Sequence, residues 1–365
     1  VTPEQAAERA DLHTKIASFI RAKDQPASVR DGLLASMRDY QRRWVPPYAS
    51  FLGQQIPRDA ASPVDALPAL PTDAFRFARI SSLAQVAGER TFQSSGTTSD
   101  ARSLHAFQDL TLYDLAAERA ARDLLFPDVP RMRLVILAPT TEAMPSSSLS
   151  YMLSRFVAWF GTDASQHVFP DSGAEVQALR DALGRCDGPV ALLGTSFAFV
   201  HAMDALENQR FSLPLGSRIM QTGGFKGRSR EVPPDAMRAA LSLTFGVPDA
   251  FIVAEYGMTE LSSQLYESTL RDAVLGLPMG PRRLLSPAWL RAVAIHPDSL
   301  LPVAEGELGL VRLDDLANLD SVAAIQTADV ARPAGDGLVL QGRAQGAVAR
   351  GCSITADQLL SRPRP

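Results

Sequence analysis

Residues 250–260 read AFIVAEYGMTE. An apolar run too short for a helix of its own ends in Glu255, Tyr256 and Gly257, and then in Thr259 and Glu260. Such a run, bounded by glycine, reads as a buried strand. Its polar residues fall where the strand stops, which is where open α/β sheets take their ligands. A carboxylate and a hydroxyl at that place suit Mg²⁺, which takes a few protein oxygens and completes its shell with phosphate and water. A helix N-cap at Thr259 is the alternative, and it accounts for Thr259 alone.

The same texture recurs on both sides. Apolar runs stand at 133–139 (RLVILAP), 189–196 (PVALLGTS), 217–224 (SRIMQTGG), 290–297 (LRAVAIHP) and 308–316 (LGLVRLDDL). Helical patterns lie between several of them, as in 110–126 (LTLYDLAAERAARDLLF) and 173–185 (GAEVQALRDALGR). Strand–helix alternation predicts an α/β domain with a substantial parallel sheet. The first sixty or so residues carry apolar side chains at three and four spacing and read as helices. The proline-rich stretch 61–75 (ASPVDALPALPTDAF) reads as a surface linker. The organisation predicted is a helical segment with its connector over 1–80, an α/β core over 81–343 and a short tail over 344–365.

Composition narrows the class. The chain has 365 residues, 46% hydrophobic and 21% charged, as in an ordinary globular protein. Its formal net charge of −4 provides no broad basic field for nucleic acid or an anionic membrane surface. No apolar run is long enough to span a bilayer. The polar, helix-like N-terminal stretch has no signal-peptide core, so the expectation is a cytoplasmic protein. Two cysteines, Cys186 and Cys352, make no disulfide framework and no zinc cluster. Only three of the 36 basic residues are lysines, and Lys226 is the last of them.

Three further stretches can carry chemistry. TFQSSGTTSDARSLH (91–105) gathers Ser94, Ser95, Thr97 and Thr98 around Gly96. Hydroxyls and unhindered N–H groups can wrap phosphate oxygens, and Arg102 adds charge. The stretch is not a Walker A loop, and a solvated surface loop is the alternative. TGGFKGR (222–228) sets Gly223 and Gly224 at a strand end beside Lys226, for close approach to a ligand or simply for a tight turn. IQTADVAR (325–332) places Asp329 after a β-like run, where it can hold a diol or sit in a turn.

In order, SSGTT, TGG, YGMTE, T-x-D and GR resemble the motif succession of the adenylate-forming superfamily. The wording of QSSGTTS…RSLH, TGGFKGR, EYGMTELSSQ and GR…RGCSI resembles the acyl-protein synthetases, or long-chain-fatty-acid–luciferin-component ligases, over roughly residues 90–360. The resemblance implies the large N-terminal domain of that superfamily. It implies activation of a carboxylic, fatty acid by ATP to an acyl-adenylate with release of pyrophosphate, followed by transfer to a thiol. Ser94, Ser95, Gly96, Thr97 and Thr98 would cradle phosphates, with Arg102 beside them. Tyr256, Gly257 and Met258 would line the adenine and acyl site near Gly223 and Gly224. Thr259 would touch the α-phosphate, Glu260 would hold Mg²⁺, and Asp329 with Arg343 would bind the ribose. Phe197, Phe199 and His105 are candidate substrate contacts. Cys352 matches the acyl-carrying cysteine, with Arg350 near enough to favour its thiolate.

The family's mobile C-terminal domain and its lysine have no counterpart after Arg343, so the tail is expected to be truncated and Lys226 to offset the α-phosphate charge. The acceptor is Cys352, a partner reductase or carrier protein, or CoA. A CoA or carrier-protein ligase on the same scaffold is the nearest alternative, and a nucleotide-binding module without turnover is another. VALLGTSFAFVHAMD (190–204) also approaches a nucleophile elbow, which would make the protein a serine hydrolase using Ser196, His296 and Asp249 or Asp298.

Overall fold

The structure is a computed structural model that describes residues 1–55, 68–85, 89–94, 102–169, 173–184, 186–207, 209–223 and 232–344. The chain forms two compact units. One is built from Ala120–Gly257 and Leu265–Leu284; the other from Val1–Arg119, Met258–Gln264 and the chain from Leu285 onward. We call them the parallel unit and the meander unit.

In the parallel unit, strands Arg133–Leu137, Gln166–His167, Val190–Thr195, Arg218–Thr222 and Ile252–Tyr256 pair in parallel. Their order across the sheet is 166, 133, 190, 218, 252 by first residue. Parallel neighbours need a crossover. Helices Ser148–Phe160, Gly173–Gly184, Ser196–Ala205 and Pro234–Phe245 provide one in each interval. The chain first moves outward from Arg133–Leu137 and then returns to its other side, so the order reverses between Arg133–Leu137 and Val190–Thr195. These strands run close there: a Cβ on Gly194 would stand 2.9 Å from the Leu137 Cβ. Strands buried on both faces read as continuous apolar runs, which explains why they were visible in the sequence. Leu192, Ile219 and Ile252 pack with Phe199, Leu241 and Phe245 in one core. Arg218 departs from this apolar pattern at the start of its strand, yet it is fully buried. Its guanidinium grips Asp128 at 2.7 and 2.8 Å and also donates to the Leu125 carbonyl at 2.9 Å.

The meander unit begins with helices Pro3–Arg21, Ala27–Trp44 and Pro46–Gln55. Thr2 caps the first by accepting from the Gln5 N–H at 3.1 Å. The first helix buries Leu12, Ile16 and Ile20 and the second buries Leu34, Met37 and Tyr40, the spacing expected of one apolar stripe each. Strands Leu290–Ile295, Gly309–Asp315, Ala324–Ala334 and Gly337–Arg343 form an antiparallel meander. The runs at 290–297 and 308–316 are therefore strands as expected but not parallel ones, because no helix separates them. The proline-rich stretch is not wholly a surface linker: Leu70–Pro71 adds a short parallel strand against Ile325 and Gln326. Strands Arg90–Gln93 and Leu104–Phe107 make a separate hairpin.

Candidate active site

The motif around residue 257 is divided between the units: Ala254–Gly257 belongs to the parallel unit and Met258–Gln264 to the meander unit.

In the parallel unit, strand pairing sets Thr222 opposite Glu255, each at the carboxyl end of its strand. The Thr222 hydroxyl donates to Glu255 Oε2. Burial pushes the Glu255 carboxyl up to about 7, and the hydroxyl pulls the other way. Next to them Ser196 Oγ lies 3.0 Å from the Gly223 carbonyl and 3.3 Å from Gln221 Oε1. Gly223 has φ +67°, a conformation that glycine takes without strain. Tyr256 is half-buried and Gly257 exposed. Phe197 is half-buried and stacks on His201 at 6.3 Å. Phe199 lies in the core, edge-on to Phe245 at 6.3 Å.

The elbow at Ser196 has the local shape of a strand-to-helix turn, with Thr195 capping the helix through the Ala198 N–H at 3.0 Å. Its chemistry is different. The Ser196 proton faces an amide oxygen and a carbonyl, and neither is a base. His296 Nδ1 accepts from the Asp298 and Ser299 N–H groups in an exposed turn, and Asp249 is engaged by Arg282 at 2.5 Å. These side chains are occupied elsewhere, and the hydrolase reading is set aside.

In the meander unit, Met258–Gln264 is a turn, closed by the Leu261 N–H on the Met258 carbonyl at 3.2 Å, and no helix starts at Thr259 for it to cap. Side chains remote in sequence hold it. Asn318 Nδ2 donates to the Glu260 carbonyl at 2.9 Å, and its Oδ1 accepts from the Ser262 N–H at 2.9 Å. Asp315 accepts from the Ser262 N–H, the Ser263 N–H, the Ser263 hydroxyl and the Ala317 N–H, all within 3.2 Å. Burial pushes this carboxyl up to about 6, with the donors opposing. Trp289 Nε1 donates to Ser263 Oγ at 3.1 Å. His105 meets the Thr259 carbonyl through Nδ1 at 2.9 Å and Ser321 Oγ through Nε2 at 3.0 Å. Both ring nitrogens are thus engaged by protein.

Elsewhere in this unit Asp329 and Arg343 are direct cross-strand partners, with Arg343 Nε 3.5 Å from Asp329 Oδ1. Glu260 is mostly buried, and among the described residues no three His, Cys, Asp or Glu side chains converge as a metal site. A metal held by Glu260 would therefore draw most of its ligands from phosphate and water, a donor set that suits Mg²⁺. Ser94 and Ser103, on either side of the hydroxyl-rich stretch, bond to each other, with the Ser94 N–H on the Ser103 carbonyl at 3.0 Å and the Ser103 N–H on Ser94 Oγ at 3.0 Å. Arg102 is exposed beside them. Ser95, Gly96, Thr97, Thr98, Gly224, Lys226 and Cys352 lie outside the described residues. Cys186 is a half-buried free thiol whose Sγ lies 3.3 Å from the Ala182 carbonyl. No helix among the described residues is long and apolar enough to cross a membrane.

Asn318 and Asp315 were missed in the sequence. Asp315 stands within the quoted run LGLVRLDDL, but nothing in that pattern distinguishes a buried acceptor from an ordinary strand-end aspartate.

The class of fold is that of the large N-terminal domain of adenylate-forming enzymes. The particular likeness is to 2-hydroxyisobutyryl-CoA ligase. In its open conformation, in complex with 2-HIB-AMP and CoA, that enzyme matches with a TM-score of 0.62 at 13% identity, over 87% of this chain and 76% of its own. In the postadenylation state with 2-HIB-AMP the TM-score is 0.60 at 12% identity, over 84% of this chain and 64% of the other. At identities this low the likeness establishes the fold alone. No protein-family model matches the chain, and no curated protein matches it in sequence.

Proposed function

We propose that this protein activates a carboxylic acid with ATP, forming an acyl-adenylate and pyrophosphate, and passes the acyl group to a thiol. The observation that carries the reading is the pairing of Asp329 with Arg343 on adjacent strands of a fold shared with an acyl-CoA ligase. These are the two residues that the motif order assigns to the ribose, and a carboxylate beside a guanidinium suits a diol and a neighbouring phosphate.

A carboxylate is a poor electrophile. Adenylation replaces its oxygen with a good leaving group, and the protein's part is positioning and charge neutralisation. Thr259 would place its hydroxyl against the α-phosphate, on a turn that His105, Asn318 and Asp315 hold still. Magnesium at Glu260 would neutralise phosphate charge. Ser94, Ser95, Gly96, Thr97 and Thr98 would hold the outer phosphates with Arg102. Tyr256, Gly257, Met258, Gly223 and Gly224 would line the adenine and acyl site, with Phe197 and Phe199 behind the acyl group. Lys226 would offset charge at the α-phosphate.

The acid is a fatty one and the acceptor is Cys352, directly or on the way to a partner protein. CoA as acceptor is the second reading, favoured by the fold shared with a CoA ligase. Acid-dependent ATP–pyrophosphate exchange across fatty, branched and aromatic acids tests the activation step. Intact-mass detection of an acyl adduct, lost in C352S, tests the acceptor. A thioester formed only on added CoA selects the second reading, and no exchange with any acid overturns both.

A further inference from the structure

His105 occupies a position that packing alone would give to a hydrocarbon ring. It is 1% exposed and sits between Phe75 and Phe107, with ring centroids 5.9 and 4.2 Å away. A polar ring there is worth its desolvation only if both nitrogens are satisfied. Both are, and the partners fix the tautomer. The Thr259 carbonyl can only accept, so Nδ1 carries the proton. The Nε2 of the neutral ring then accepts from the Ser321 hydroxyl. Burial pushes the imidazole down to about 4, which keeps it neutral.

Ser321 is fully buried and belongs to the stretch 315–323, which also provides Asp315 and Asn318 to the Thr259–Glu260 turn. The same stretch is pinned from the other side. Arg9 grips Asp320 at 2.6 and 2.7 Å, and Gln41 donates to the Asn318 carbonyl at 2.8 Å while accepting from the Ala323 N–H at 2.8 Å. Among the described residues, two side chains from outside the turn tie its carbonyls, His105 to Thr259 and Asn318 to Glu260. With Asn318 in place, loss of the imidazole leaves the turn closed and frees the Thr259 peptide alone.

We infer that His105 is a positioning residue: its Nδ1–H, braced by Ser321, holds the Thr259 peptide in the orientation that the adenylation step requires. The inference rests on the function proposed above and replaces the expected contact between His105 and substrate with a role one residue behind it.

The tautomer makes the test specific. The amide nitrogen of asparagine is as many bonds from the backbone as Nδ1, and that of glutamine as many as Nε2. H105N can therefore restore the tie to Thr259, whereas H105Q and H105F cannot. The measurement is ATP–pyrophosphate exchange with the best acid, with melting temperature recorded for each variant. H105F and H105Q are expected to lower kcat about tenfold, the scale of one hydrogen bond, with KM for ATP and acid unchanged. H105N is expected to stay within about threefold of wild type on the same scale, although all three variants melt lower. An unaltered kcat in H105F, or an H105N as slow as H105Q, overturns the inference. So does a kcat order that merely follows the melting temperatures. If H105F does not fold, the H105N and H105Q pair decides alone, equal rates overturning it. Wild-type protein with no exchange for any acid overturns the adenylation reading itself and this role with it, a result distinct from exchange that survives in every variant.

Discussion

Glu255 and Glu260 lie in one short motif, yet they are held in different ways. Glu255 is placed by its backbone: strand pairing sets it opposite Thr222, and Thr222 is its one side-chain partner among the described residues. Glu260 is placed by a turn whose carbonyls and N–H groups are taken by His105, Asn318 and Asp315 from distant parts of the chain. A strand positions a side chain cheaply, because its ladder already satisfies the backbone. A turn must borrow donors and acceptors, so its geometry depends on residues far away in the chain.

The contrast breaks most visibly at Asp315. D315A leaves the Ser263 N–H, the Ser263 hydroxyl and the Ala317 N–H without their acceptor, while the Ser262 N–H keeps Asn318, and should cost about 3 kcal/mol in urea denaturation with an unchanged m-value. E255Q keeps an acceptor for Thr222 and should cost less than about 1 kcal/mol near pH 5, where Glu255 is uncharged.

Acid and base then separate the two halves. His105 falls from 6.5 to about 4 on folding, so the unfolded chain binds its proton first. Stability should drop by about 3 kcal/mol as pH falls from 6.5 through 4, and H105N should remove that slope. Glu255 rises from 4.5 to about 7, so the folded chain holds its proton longer. Its contribution is complete below 4.5 and is lost, again by about 3 kcal/mol, as pH rises through 7; E255Q should remove that slope. Asp315 titrates in the same sense as Glu255, so each slope is read as the difference between wild type and variant.

Smaller effects sharpen the picture. T222V removes the hydroxyl that pulls Glu255 downward and should move the midpoint of its slope upward by about one pH unit or less. R343A should change stability by less than about 1 kcal/mol, since the side chain is 75% exposed. Under the proposed function it should weaken ATP binding by calorimetry about tenfold, the scale of a charge-assisted hydrogen bond.

The same division explains what could be read from the sequence. The strands 133–137, 190–195, 218–222 and 252–256 announced themselves because burial on both faces demands unbroken apolar runs. Asp329 and Arg343 were singled out by motif order, whereas their cross-strand pairing is a product of the meander. The short strands Gln166–His167 and Leu265–Glu267 were not visible, being too brief to show a period. The brace behind Thr259 was not visible either. His105, Asn318 and Asp315 meet the turn across sequence separations of 154, 58 and 52 residues, and no local pattern encodes such a meeting.

That brace also sets a clock on synthesis. Arg9 waits for Asp320 across 311 residues, and Gln41 waits for Ala323 across 282. At ordinary elongation rates the first helix leaves the ribosome roughly 15–60 s before its ion-pair partner exists. The parallel unit, complete at Leu284, has all its residues roughly 2–7 s before Asp320 is made. The N-terminal helices can pack on one another in that interval, but the side chains that meet residues 318–323 stay unclaimed. Residues 318–323 end that wait, so helices made early are secured by residues made late.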